Sequence, residues 1–447
     1  MGPTRGEIST LVRLAVPVVG TQVAAMLMGV VDTIMLGSVG PHALAAAGLG
    51  AACIWGTLVI ADGLVRGIDP IVAQAHGARD GARAAVALQR GLVIAVGISF
   101  PIAGLWLFTE DFLLATGQNA ELAALAQRYV LVQIPSIVCH TVYMALRGYL
   151  QGRAIMNPAL WVMVFANLVH IFGNWVLIFG HLGAPALGVV GAGIATSLTR
   201  TLALAALVWL TLGLRLHEGA WQPWSREAFS LAGLRRVLSL GVPVGLQVGL
   251  EVWAFQIATL MAGRLGVNEL AGHQIVLNMA SLTFMVPLGI AIGASTRVGN
   301  LIGAGRSEQV QRAAWIAFGL GAGAMALFGA VMIGLRAELP RLYTSDAQVI
   351  AVCAFLLPIA AAFQIFDGTQ VVGCGILRGM GRTRAPALVT LVGYYAIALP
   401  FAWWLGLDRG LGLAGIWWGL CLGLVVVASA LLVWVRLCGS GERMLDV

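Results

Sequence analysis

The sequence predicts an all-α polytopic membrane protein, with twelve transmembrane helices in two six-helix lobes related by a parallel internal repeat. Three observations carry that prediction. Of the 447 residues 10% are charged and 60% hydrophobic, whereas a soluble chain is about one-quarter charged; the deficit excludes a soluble globular protein and a disordered one alike. Apolar runs that can each span a bilayer, which takes about 20 residues, follow one another with short connections and leave no room for a sizeable aqueous domain. The sequence also matches itself at a constant shift of 226 residues over its first spans.

Taken in order, the spans are bounded by Gly, Pro, Arg and acidic clusters. The first (10–37) is too long for a signal-peptide core, contains Asp32 and lacks a small-residue cleavage pattern, so it reads as a retained helix. The second (43–66) ends where Asp62 and Asp69 flank Arg66, an interfacial charge cluster. Spans 3 (86–109) and 4 (122–146) precede span 5 (158–180), which carries Asn167, His170 and Asn174, and span 6 (187–213), where Thr196 follows GAGIA. The linker 214–236 holds four Arg, Pro223, Trp221 and Trp224, and is expected to be a cytoplasmic strap with a short amphipathic helix and Trp anchors at the membrane surface. Span 7 (237–263) carries Gln247, Glu251 and Phe255, and His273, Gln274 and Asn278 open span 8 (274–296). Spans 9 (312–335), 10 (348–376, with Phe363, Gln364 and Asp367), 11 (386–406) and 12 (411–436) complete the set. Glycine runs such as GLGAGAM and GLGLAG indicate close helix packing in this apolar setting.

At the 226-residue shift Leu14, Val16, Pro17, Val18, Thr33, Met35, Gly37, Gly40, Leu44 and Ala45 meet identical residues between Leu240 and Ala271. Gly77 and Ala78 meet Gly303 and Ala304. LRG at 146–148 and PAL at 158–160 return at 377–379 and 386–388, and LGxxG at 187–191 returns at 411–415. An even number of helices separates the copies, so both share one topology about an axis along the membrane normal. The expected organisation is an N-terminal lobe 1–213, the linker 214–236 and a C-terminal lobe 237–447.

Every basic residue is Arg, scattered through loops and not gathered in a stripe, which argues against a nucleic-acid partner. Twenty of them, Arg443 included, fall on the side of the N-terminus, against Arg264, Arg336, Arg341 and Arg409 opposite; Arg128 and Arg200 lie within spans. The positive-inside rule then puts both termini in the cytoplasm of an inner-membrane protein. Cys53, Cys139, Cys353, Cys374, Cys421 and Cys438 lack CxxC or Cys/His spacing and read as small core residues.

An ionisable residue in mid-span costs about 2.5–3.5 kcal/mol on insertion scales and therefore faces a cavity or a partner. Asp32, Glu251 and Asp367 are the three acids of this kind. A carboxyl withdrawn from water favours its protonated form, which suits it to exchanging a proton for a cation. Gln247, Glu251 and Phe255 follow one helical face, and Phe363 and Gln364 precede Asp367 on a comparable stripe. Phe255 and Phe363 read either as packing residues or as cation–π surfaces for a lipophilic cation; Asn278 reads either as a helix-positioning group or as a substrate contact. The sequence contains no GxxxxGK[ST], HExxH or GxSxG, so neither direct ATP use nor enzyme chemistry is indicated.

These residues resemble the multidrug and toxic compound extrusion (MATE) family, nearest its bacterial NorM-like branch, over almost the whole chain. The carriers are VDTIMLG at 31–37, PIVAQAHGA at 70–78, LRGYLQG at 146–152, LEV at 250–252, AGHQIVLNMASLTFMVPLGI at 271–290, RVGNLIGAG at 297–305 and FQIFDGTQVVGCGILRG at 363–379. The resemblance implies an outward-facing, V-shaped pair of bundles that exports cationic amphipathic drugs in exchange for Na⁺ or H⁺. It makes Asp32 the N-lobe acid and Glu251 and Asp367 the C-lobe cation site. Two departures from the family pattern favour H⁺: Phe363 stands where relatives often have Tyr, and His170 precedes Asn174 where relatives commonly have Asn.

The expected coupling site is then Asp32, Glu251, Asp367, His170, Asn174 and Thr196, with Na⁺ at Glu251 and Asp367 as the alternative. Gln247, Phe255, Asn278, Phe363 and Gln364 are the expected substrate contacts. No cofactor is expected, and the protein is expected to work as a monomer in contact with membrane lipid. The rival readings are a lipid-linked oligosaccharide flippase of the same superfamily, whose lumen would carry basic residues for phosphate, and, more remotely, an integral-membrane enzyme or a passive channel.

Overall fold

The computed structural model describes residues 3–438, and Arg443 lies outside them. Among the described residues every regular element is helical. Eleven helices are long and apolar enough to cross a membrane, and a bent pair supplies the twelfth span. In chain order they are α1 (Pro3–Val39), α2 (Pro41–Val65) continued by α3 (Asp69–Gly77), α4 (Gly81–Leu107), a short α5 (Thr109–Ala115), the bent pair α6 (Ala120–Leu131) and α7 (Ser136–Gly152), α8 (Asn157–Phe179), α9 (Gly188–Gly213), α10 (Leu231–Gly263), α11 (Val267–Gly303), α12 (Val310–Gly334), α13 (Ala347–Gly379), α14 (Arg384–Leu391), α15 (Leu399–Trp403) and α16 (Gly412–Cys438).

Four expectations need correction. The helices overrun their apolar runs, because polar residues continue a helix beyond the hydrocarbon; α1 and α11 have 37 residues each, about 55 Å at the α-helical rise. His273, Gln274 and Asn278 therefore lie inside α11 and do not open it. Span 4 is not one rod but bends by 55° between α6 and α7, ahead of which Pro135 has no N–H to give the helix ladder. Span 11 passes from α14 through π-helical Val392–Ala398 to α15 and then through π-helical Trp404–Asp408.

Between α9 and α10 the linker forms no amphipathic helix, only a 3₁₀ turn at Arg226–Phe229, and its last residues from Leu231 already belong to α10. Several of the linker's carbonyls are taken by side chains of α4, of α7 and of Arg153 just after α7. Gln89 Nε2 donates to Gln222 O (2.9 Å) and Pro223 O (3.2 Å), Tyr149 Oη to Ala220 O (2.7 Å), and Arg153 to Leu216 O and Glu218 O. Trp221 and Trp224 are exposed.

The described residues form two compact units. One, here the first-repeat unit, holds Gly20–His76 and Asp80–Gly245; the other, the second-repeat unit, holds the residues up to Val19, Gly77–Arg79 and those from Leu246 onward. Thus α1 and α10 each change unit in mid-helix, just past Pro17 and Pro243. Small residues four apart explain which partner each half takes, since they let helix backbones meet. Within the first-repeat unit a Cβ on Gly63 would lie 2.1 Å from Gly245 Cα, and one on Gly241 would lie 2.2 Å from Leu64 O. Within the second-repeat unit the equivalent Gly289 and Gly293 of α11 meet Val19 and Ala15 of α1 in the same way. Gly40 and Gly266, also equivalent, start α2 and α11 at φ 145° and 150°, conformations that favour glycine.

Candidate functional site

Within the first-repeat unit, α1, α8 and α9 bring Asp32, His170 and Asn174 together. His170 and Asn174 stand one turn apart on α8 and are fully buried. His170 Nε2 lies 2.8 Å from Asp32 Oδ1, and Asn174 Nδ2 donates to that same oxygen at 2.7 Å. His170 Nδ1 lies 3.3 Å from Thr199 Oγ1, which also lies 2.7 Å from Ala195 O. The Thr199 hydroxyl serves either ring tautomer, accepting from Nδ1–H or donating to a bare Nδ1. The Nε2–Asp32 contact sets two titratable groups directly against each other. Thr196 does not join this group; its hydroxyl donates to Ala192 O within α9 (3.0 Å). The residue that does join is Thr199, one helical turn further on, and a pattern along α9 does not tell which of its two threonines faces α8.

Within the second-repeat unit, α10 and α13 carry the other two acids. Gln247 Nε2 donates to Glu251 Oε2 at 3.2 Å, and Glu251 lies within electrostatic range of Asp367. Asp367 is 5% exposed, and its Oδ1 makes no hydrogen bond among the described residues. Gln370, one turn below Asp367, accepts from Tyr394 Oη at 3.4 Å; the sequence does not single out either residue, since it does not tell which of Tyr394 and Tyr395 faces α13.

Phe363 is 1% exposed and packs edge-on against Phe255 (5.9 Å) and Trp417 (5.5 Å), and Phe255 packs likewise against Tyr394 (5.9 Å). Gln364 is fully buried and donates to Thr283 Oγ1 at 2.7 Å. Asn278 is exposed and accepts from Tyr343 Oη at 3.0 Å. Burial raises the Tyr343 phenol, so it remains a donor. His273 is fully buried between Trp417 Nε1, which donates to Nδ1 at 3.2 Å, and Thr259 Oγ1 at 3.0 Å from Nε2. An indole N–H can only donate, so His273 is held as the neutral Nε2–H form and positions helices.

The two copies differ in chemistry at matched places. By the motif shifts, Asp32, His170 and Asn174 correspond to Ala258, Ala398 and Ala402, all fully buried in the apolar core of the second-repeat unit. A Cβ on Gly423 or Gly419 of α16 would press on Ala398 and Ala402. The fold accepts small apolar residues at all three positions, so the polar triad is not a packing requirement.

The MatE family profile matches residues 17–176 and again 243–404, two copies whose starts differ by the same 226 residues. The chain belongs to the MatE family. It is 36% identical over 428 residues to the multidrug resistance protein NorM of Burkholderia vietnamiensis, covering 94% of this chain and 92% of that one. It is also 36% identical over 446 residues to the probable multidrug resistance protein NorM of Mesorhizobium japonicum, covering 97% and 94%. The crystal structure of the eukaryotic MATE transporter AtDTX14 matches with a TM-score of 0.89 at 25% identity, over 97% of this chain and 96% of that one. A multidrug resistance MATE transporter of the MOP superfamily, in an outward-facing conformation, matches with a TM-score of 0.87 at 22% identity, over 96% and 95%. MATE membership makes the chain a membrane transporter and removes the enzyme reading.

Proposed function

We propose that this MATE chain is an inner-membrane antiporter that exports cationic amphipathic drugs in exchange for protons, with both termini cytoplasmic. The observation that carries the proton assignment is the 2.8 Å contact between His170 Nε2 and Asp32 Oδ1, which sets two titratable groups against each other. In the second-repeat unit Asp367 and Glu251 form an acidic site with an unsatisfied oxygen. Burial makes two uncompensated charges there untenable, so each transport state fills the site with protons or with the exported cation. Competition of the two for one site is what couples their fluxes. The relatives named as multidrug resistance proteins support a drug as the substrate.

Na⁺ at Glu251 and Asp367 is the second reading. A hard cation takes about six oxygens, and Phe363, in the aromatic cluster one turn before Asp367, contributes none. The flippase reading is weaker still, because the groups at these two sites are acids and their amide and imidazole partners, with no basic cluster for phosphate.

The test is flux of a fluorescent organic cation in proteoliposomes under separately imposed gradients. An inward proton gradient at equal Na⁺ drives export on this reading. Export that needs a Na⁺ gradient at equal pH, and ignores a proton gradient, would overturn it.

A further inference from the structure

The first-repeat unit holds a second acid–imidazole contact, apart from the Asp32 site. His140 Nε2 of α7 lies 3.0 Å from Asp62 Oδ1 of α2, with side chains 20% and 17% exposed. The sequence places Asp62 in a charge cluster with Arg66 and Asp69, and to that cluster the structure adds an imidazole partner for Asp62. Asp32 lies near the turn joining α1 to α2, and Asp62 lies most of the way along α2. At 1.5 Å per residue the two acids are about 20 Å apart along the helices.

The charged and titratable groups around the pair come from each neighbouring element. They are Arg66 after α2, Asp69 of α3, Tyr143 and Arg147 of α7, and Arg200 of α9. Arg200 interacts electrostatically with both Asp62 and Asp32, and with Tyr129 of α6. It also donates to Ser136 Oγ at 3.4 Å. One guanidinium thus stands in the fields of both acid–histidine pairs.

The repeat supplies an internal control. By the motif shifts, Asp62, Arg66, His140 and Arg200 correspond to Leu288, Ile292, Val371 and Leu424 of the second-repeat unit. Ile292, Val371 and Leu424 are buried there, and Leu288 packs against the same core as Val371. The fold therefore fills these positions with hydrocarbon in one copy. Ionic groups bring no stability over well-packed hydrocarbon in an interior, so the polar set of the first copy serves something besides packing. Arg147 is matched by Arg378 and belongs to what both copies need.

We propose that Asp62 and His140 form a second proton-binding site of this transporter, filled in alternation with Asp32 and His170. The inference rests on the proton-coupled reading above. In the proton-bound form His140 is an imidazolium whose Nε2–H donates to the Asp62 carboxylate. Release of the Nδ1 proton leaves a neutral imidazole still donating through Nε2, and Arg200, Arg66 and Arg147 become the compensating charges for Asp62. Arg200 is then drawn towards Asp62, Asp32 loses a positive neighbour, and the Asp32–His170 pair takes up a proton. Binding at His140 reverses the sequence. No reactant is needed beyond protons from the aqueous phases.

Two measurements test this. In full-length protein with ¹⁵N-labelled histidine in nanodiscs, H140Q assigns the His140 signal. His140 is expected to change between its two-proton and one-proton forms between about pH 5 and pH 9. D32N is expected to displace that change by about half a pH unit, the Coulomb effect of one charge at about 20 Å in an effective dielectric of about 20. In proteoliposomes the double variant D62L/H140V, which installs the residues of the second copy, is expected to insert normally and to export with a displaced pH dependence. One protonation state throughout, a D32N transition identical to wild type, or an unaltered pH dependence in D62L/H140V would each overturn the proposal. If the double variant fails to insert, the labelled protein decides alone. Because the spectroscopic arm involves no transport, a coupled His140 titration without proton-driven export would refute the coupling reading and leave the site standing.

Discussion

At the scale of single residues, chemistry is concentrated where a charge has few partners. Asp367, buried with an unsatisfied oxygen beside Glu251, is the group whose neutralisation the cycle must manage. D367N and E251Q are each expected to lower drug export by about tenfold or more, equivalent to about 1.4 kcal/mol of barrier. Monodispersity on size-exclusion chromatography should be unchanged, because an amide fits either position. Near-normal export by both variants would remove these acids from the mechanism. His170 is expected to set the pH response. H170N keeps a donor for Asp32 but removes the titratable ring, so export should persist with a displaced pH dependence, and an unchanged profile would make His170 structural. The acids and the His170–Asn174 spacing were visible in the sequence because each is a polar interruption in an apolar run. Thr199 was not visible, because choosing it over Thr196 requires knowing which side of α9 faces α8.

At the scale of elements, glycines decide which helices touch. Gly63 of α2 and Gly67 of the 3₁₀ turn that follows it meet Gly245 and Gly241 of α10 at backbone distance. A methyl group at Gly63 has no flexible neighbour to displace, only main chain, and overpacking of this kind costs about 1–3 kcal/mol. G63A is therefore expected to lower thermal stability in detergent by several degrees, while G48A, whose Cβ would meet nothing within 4 Å, should not. Equal melting of the two variants would show that this crossing does not limit stability. The linker makes the opposite point. Its Arg and Trp content suggested an amphipathic surface helix, but Gln89, Tyr149 and Arg153 take its carbonyls one by one. Composition reports which residues tolerate an interface; it does not report which distant side chains reach a backbone oxygen.

At the scale of the whole molecule, the proposed coupling makes a clean prediction. Vesicles holding equal Na⁺ on both sides should export a fluorescent cation when given an inward proton gradient, and F363Y, which restores a phenolic oxygen near Asp367, should raise any residual Na⁺ response. Proteoliposomes that respond to Na⁺ alone would reverse the assignment. The excess of Arg on one set of connections predicts cytoplasmic termini, which protease accessibility of a terminal tag in inverted and right-side-out vesicles checks. Charge deficit, span length and the 226-residue repeat by themselves determined an all-helical membrane protein with duplicated spans, since burial in lipid leaves the chain little choice but helices. Only the tertiary structure decided that α1 and α10 each change unit beyond a proline, that Thr199 completes the Asp32 site, and that His140 partners Asp62. Those outcomes depend on which faces of distant helices meet, and a pattern along one helix does not encode what stands opposite it.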